Sequence, residues 1–168
     1  MSEKATLPKV MTIGVYGFSE GAFFDALQRA RVDTFCDIRY RRGVRGAEYS
    51  FVNSTRLQQR LAELGIRYLH LRELAPSPGL RRRQTEADTA EGITKRKRST
   101  LGEMFISGYR AECLTNFDSR KFSEQLGGEA KVAALFCVER EPAACHRSLL
   151  AEKLRQDLGV EIVHLLPD

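Results

Sequence analysis

Five short apolar runs, separated by stretches with helical spacing, constrain this chain more than any other feature. They fall at about 10–16, 34–38, 66–71, 131–137 and 160–165. The first, VMTIGVY, is rich in β-branched residues, as a buried strand requires. IRYLHL alternates as a strand does, and KVAALFC is the most apolar of the five. Between them the period changes. Ser19 is placed to cap a helix over about 20–31 with Phe23, Phe24 and Leu27 on its inner face. A second helix over about 54–65 buries Leu57, Leu61 and Leu64 and stops at Gly65. Further helices are predicted from near Thr100 through Phe105 and Tyr109, over 119–126, and over 143–158 with Leu150, Leu154 and Leu158 aligned. Strands interleaved with helices predict one α/β domain over 1–168. Its expected core is a mainly parallel sheet of about five strands flanked by helices, a Rossmann-like arrangement.

One stretch breaks the rhythm. Residues 75–100 hold two prolines, then Arg81-Arg82-Arg83, a polar middle and Lys95-Arg96-Lys97-Arg98, and read as a basic loop or mobile insertion. A second basic segment, RYRRGVRGAEYSF, follows Asp37-Ile38-Arg39. Together they explain a net charge of +5, which favours anionic partners. Arg39, Arg41, Arg42 and Arg45 lie close to Tyr49 and Phe51, and arginines interleaved with aromatics suit phosphates and stacked bases. No apolar run is long enough to span a bilayer, and MSEKATLPK has no apolar core of a signal peptide, so the expected setting is the cytoplasm, with no membrane partner. The four cysteines are too few and too scattered for a secreted disulfide framework.

In open parallel sheets, ligands collect where strands end and helices begin. The richest such place is Cys137-Val138-Glu139 through Cys145-His146-Arg147. Pro142 suits a first helical turn, which puts Cys145 at or near the positive end of a helix. A thiol there, beside an imidazole and a guanidinium, has the surroundings of a nucleophile. Cys145, His146 and Glu139 are therefore the catalytic candidates, with Glu139 orienting His146. Arg147, Arg39, Arg41, Arg45, Asp37 and Tyr109 are the ligand-binding candidates. Asp37 has two readings, a base in the cleft or the structural partner of an arginine. Cys145 also has two, since it stands four residues before Leu149 and can simply face the core. No metal is expected. If one binds, Cys137, Cys145 and His146 are its ligands, although their spacing is not the paired form of a zinc ribbon. A Cys137–Cys145 redox pair ranks below that, because the spacing is not C-x-x-C. Gly14, Gly17 and Gly21 do not form a G-x-G-x-x-G fingerprint, so no nicotinamide or flavin cofactor is expected.

The chain also resembles a known family. TIGVYG, CDIR, GIRYLHLRELAP and above all FCVEREPAACHRSLLAEKL, with its Cys-x-Glu and Cys-His-Arg elements, resemble the domain-of-unknown-function family 488 over nearly the whole chain. The closing EIVHLLPD fits too, with His164 in the family's usual place. After Arg39 the chain departs from the commoner pattern, with RYRRGVRGAEYSFVN where many members have a shorter loop containing proline and serine. The resemblance implies the fold and the location of the site. The functional expectation is a protein that acts on or binds an anionic ligand, phosphate-bearing or nucleic acid, at a Cys-His-Arg site. The alternatives are a non-catalytic nucleic-acid-binding module built on the arginine loops and a metal-binding protein using Cys, His and Glu.

Overall fold

The computed structural model describes residues 7–168. Most of the N-terminal stretch read above for a leader lies outside the described residues. The chain runs β1 (Lys9–Ile13), α1 (Glu20–Arg29), β2 (Thr34–Asp37), α2 (Ser54–Glu63), β3 (Arg67–His70), α3 (Pro78–Ala90), α4 (Glu103–Tyr109), α5 (Ser119–Leu126), β4 (Val132–Phe136), α6 (His146–Leu158) and β5 (Ile162–Leu165). All the strand pairings are parallel, in the order β3-β2-β4-β1-β5. The expected single α/β domain with a parallel five-stranded sheet is what forms. No described helix is long and apolar enough to cross a membrane.

Strand order decides where the site lies. β2 leads outward to β3, whereas its neighbour β4 leads the other way, past β1 to β5. The two outgoing connections diverge, so a crevice opens at the carboxyl ends of β2 and β4. Residues that alternate along the strands serve opposite faces. Phe35 of β2 and Phe136 of β4 meet Phe23 of α1 at 6.4 and 5.6 Å between ring centroids. Each such buried ring contributes about 1.5–3 kcal/mol relative to exposure. α6 packs against β1 and β4, and against α4 and α5.

Local chemistry sets the element ends. Ser19 caps α1 as expected, accepting from the Ala22 N–H at 3.2 Å. Gly65 ends α2 with a φ of 71°, the left-handed conformation that glycine adopts without a Cβ clash. Three expectations need correction. Residues 75–100 are not a continuous loop, because Ser77 caps α3 by accepting from Leu80 N–H and Pro78 opens its first turn. The helix was hidden because its buried face reads Leu80, Gln84, Asp88, which has little apolar signal. The helix predicted from near Thr100 starts later, at Glu103, and beyond Tyr109 it gives way to a wider π turn over Arg110–Leu114. Pro142 opens a separate 3-10 turn, Pro142–Ala144, rather than α6. Cys145 is extended, at φ −139° and ψ 144°, and α6 begins at His146.

Candidate functional site

The crevice floor is held by backbone contacts that the sequence makes possible. Val15 and Tyr16, just past β1, both donate their N–H groups to the Val138 carbonyl, at 3.0 and 3.1 Å. Gly14 lies so close to this segment that a Cβ there would come within 1.8 Å of the Glu139 carbonyl oxygen. Arg147 is 0% exposed, and its guanidinium donates to the Glu139 carbonyl at 2.5 Å and to the Arg140 carbonyl at 3.0 Å. The turn that carries Cys137 and Cys145 is thus fastened from both sides.

Cys145 Sγ lies 3.7 Å from His146 Nδ1. His146 Nε2 is 2.9 Å from the Ile38 carbonyl, which can only accept, so Nε2 carries the proton and Nδ1 faces the sulfur. Tyr109 braces the imidazole, with ring centroids 5.3 Å apart, while its own hydroxyl donates to the Leu74 carbonyl at 2.7 Å. The donor atoms of Cys137, Cys145 and His146 all lie within 4.8 Å of one another. Burial pushes the Cys145 thiol up, but a hydrogen bond from Cys137 and the positive His146 and Arg147 outweigh it and hold Cys145 well below the usual thiol range. The hydrogen bond to Cys145, and then burial, hold Cys137 well above it. For His146, burial acts downward, but the neighbouring Cys145 charge wins and raises it. These influences favour the charged forms of Cys145 and His146 and the neutral form of Cys137, at the start of a 13-residue helix.

A cleft of about 770 Å³ stands over this group, and Cys137, Cys145 and His146 form part of its wall. Its cationic lining comes from three segments: Arg39, Arg41 and Arg45 after β2; Arg81 and Arg82 on α3; and Lys95, Arg96 and Arg98 beyond α3. Glu139 is the single carboxylate among the described lining residues. The loop after β2 is fixed where it meets α2: Val44 N–H donates to Asn53 Oδ1 at 2.7 Å and Ser54 N–H donates to the Arg42 carbonyl.

The candidates separate by position. Cys145, His146, Arg39, Arg41, Arg45 and Glu139 border the cleft, but Cys145 is only 1% exposed and packs in the hydrophobic core as well, so both of its readings have support. Arg39 is committed below the cleft, in a two-pronged contact with Asp37 at 2.8 and 2.9 Å and a bond to the Val52 carbonyl, with only Nη1 left unpartnered. Arg147 does not line the cleft, because its donors are spent on backbone carbonyls. Asp37 is not an open base. It is fully buried between Arg39 and the Tyr68 hydroxyl, which donates to it at 2.6 Å. Tyr109 supports His146 from within the core. Glu139 does not orient His146; its Oε1 pairs with Arg98 at 3.0 Å and Lys95 at 3.6 Å, and the Ile38 carbonyl does the orienting. Tyr49 and Phe51 belong to the core, so the rings that reach the cleft are Tyr16, Tyr40 and Phe105.

Sequence reasoning missed Arg98 as an individual. It is nearly buried and joins Asp88 of α3, Glu139 and the Ala144 carbonyl, so it ties α3 to the turn before Cys145. Its only signal was a place in the run Lys95-Arg96-Lys97-Arg98, which read as part of a basic loop.

The sequence matches the family described as Domain of unknown function DUF488 over residues 20–154. No curated protein and no solved structure matches it.

Proposed function

This chain belongs to the DUF488 family, and on that footing we propose that it is an enzyme acting on a phosphate-bearing substrate, with Cys145 as nucleophile and His146 as acid and base. The observation that carries the reading is the Cys145 sulfur, 3.7 Å from His146 Nδ1, in the wall of a cleft whose charged lining is cationic but for Glu139. An anionic substrate is drawn in by that field and held by guanidinium groups. Arg41, Arg45, Arg81 and Arg82 are the clamp, and Arg39 Nη1 is a donor in reserve at the floor. The Cys145 sulfur attacks phosphorus and forms an S–P bond. The P–O bond to the leaving group breaks, and that oxygen takes the proton from His146. Neutral His146 then accepts a proton from water, whose oxygen displaces the sulfur and releases phosphate. A reducing cytoplasm is the setting that keeps such a thiolate free.

The test is to trap the intermediate. An activated aryl phosphate should leave one phosphoryl group on the tryptic peptide 141–147, and Cys145→Ser should abolish it. Absence of that adduct, together with no slowing of Cys145 alkylation by inorganic phosphate, sinks the reading. If the substrate is a polynucleotide, its protection of Cys145 falls far more steeply with salt than that of a small phosphate.

A second reading is a metal site, and one observation favours it. Three candidate ligands, two thiols and an imidazole, converge within 4.8 Å, and His146 already gives its far nitrogen to a carbonyl, as metal-bound imidazoles do. Stoichiometric zinc or iron in the purified protein would support it, and its absence after growth with added metal would remove it.

A further inference from the structure

Cys137 has no part in the proposed chemistry, yet it sits beside the nucleophile. We propose that Cys137 and Cys145 close a reversible disulfide when the cleft meets a hydroperoxide, with Cys145 the attacking sulfur and Cys137 the resolving one. The inference rests on the reading of Cys145 as the nucleophile in the cleft wall.

The geometry carries it. Cys137 stands just past β4 and Cys145 just before α6, and the fold brings their Sγ atoms within 4.8 Å. The absent C-x-x-C spacing therefore does not keep them apart. A disulfide needs about 2 Å between the sulfurs, so the gap closes by a shift of at most about 3 Å. The turn between them is fastened, so the shift falls to the two side chains, and the Cys145 sulfur is not tied up as a helix cap. Both residues line the cleft, which admits a molecule of peroxide size. The other two thiols are set apart. Cys36 is wholly buried within β2 and pushed up to about 12 by that burial. Cys113 donates to the Ala75 carbonyl and is pushed up to about 11, again by burial. Thiolate character is thus concentrated on Cys145.

The chemistry balances without another reactant. The Cys145 thiolate attacks the terminal oxygen of the hydroperoxide, an S–O bond forms and the O–O bond breaks. The departing alkoxide (hydroxide, from hydrogen peroxide) takes the His146 proton. Cys145 is now a sulfenic acid, oxidised by two electrons, and the peroxide is reduced to an alcohol or water. With the thiolate gone, the hydrogen bond that held the Cys137 proton is gone as well. Neutral His146 accepts that proton, the Cys137 sulfur attacks the Cys145 sulfur, and the S–OH bond breaks to give water with the proton His146 returns. An external dithiol reverses the bond by exchange.

The sequence makes the product easy to read. Trypsin cuts after Lys131, Arg140 and Arg147, so the two cysteines fall in separate peptides, 132–140 and 141–147. After one equivalent of hydrogen peroxide and capping of free thiols, these peptides should appear joined, two hydrogens lighter than their sum, and separate again with dithiothreitol. Cys137→Ser should instead stop at a dimedone-trappable sulfenic acid on Cys145 and pass to sulfinic acid with more peroxide. The inference is overturned if the wild-type protein gives oxidised 141–147 while 132–140 keeps its free thiol, and that outcome needs no variant to fold. If Cys145 resists peroxide but reacts rapidly with iodoacetate, this inference alone fails. If it resists both, the thiolate reading falls with it.

Discussion

The Arg147 guanidinium donates to two carbonyls of the Cys137–Cys145 turn from a fully buried position. Arg147→Met keeps the stem and removes the charged hydrogen bonds, so a loss of about 3 kcal/mol is expected, read as an earlier midpoint in urea unfolding. The Cys-His-Arg triplet thus divides. Its first two members border the cleft and the third is structural, since His146 and Arg147, successive on α6, diverge by about 100° while Cys145 precedes the helix. The triplet was visible in the sequence as a location. The division was not, because nothing in the residue types distinguishes an arginine that caps carbonyls from one that meets a ligand. Gly14→Ala tests the same fastening from the other side. Its Cβ would collide with the Glu139 carbonyl, and a cost of about 1–3 kcal/mol is expected from overpacking, with slower Cys145 alkylation as the turn is displaced. The pH dependence of that alkylation has a definite sign. An ordinary thiol gains reactivity as pH rises toward about 8.5. Cys145, held well below that range, should stay reactive through neutral pH and lose rate only on the acid side, as the thiolate is protonated. Cys137→Ala removes the donated hydrogen bond and should move the fall toward higher pH.

Strands and five of the helices were legible because their buried residues are apolar at the right period: Phe23, Phe24 and Leu27 in α1, Leu57 and Leu61 in α2, Phe105 and Tyr109 in α4, Phe122 and Leu126 in α5, Leu150 and Leu154 in α6. α3 was not, because it turns Gln84 and Asp88 inward. Gln84 donates to Asp88 one turn on, and the pair is completed from beyond the helix, where the Gly102 N–H donates to Gln84 Oε1 and Arg98 donates to Asp88. A polar inner face of this kind needs its partners to be known before it can be read as buried. Arg98→Ala leaves Asp88 and Glu139 short of a cation, and removing one member of a buried pair costs about 3–5 kcal/mol. The expected signature is faster amide exchange in α3 and in the turn 142–144, with the sheet protected as before.

The divergence of β2 and β4 brings together segments that lie about a hundred residues apart in the chain. The His146–Ile38 hydrogen bond crosses that divide, and the basic residues after β2 and along α3 meet over it. Strand order could not be read from the sequence, so the location of the cleft followed from strand ends, while its composition waited on topology. What the molecule offers as a whole is the Cys145 sulfur in the wall of a cationic cleft, and charge-selective alkylation tests the proposed thiolate directly. Iodoacetate, an anion, should carboxymethylate Cys145 ahead of the other cysteines and about tenfold or more faster than neutral iodoacetamide does, since such clefts raise local anion concentration by that order. High salt or inorganic phosphate should erase the preference. If Cys145 reacts no faster than Cys113, or favours the neutral reagent, the cleft is not an anion site built around a nucleophile.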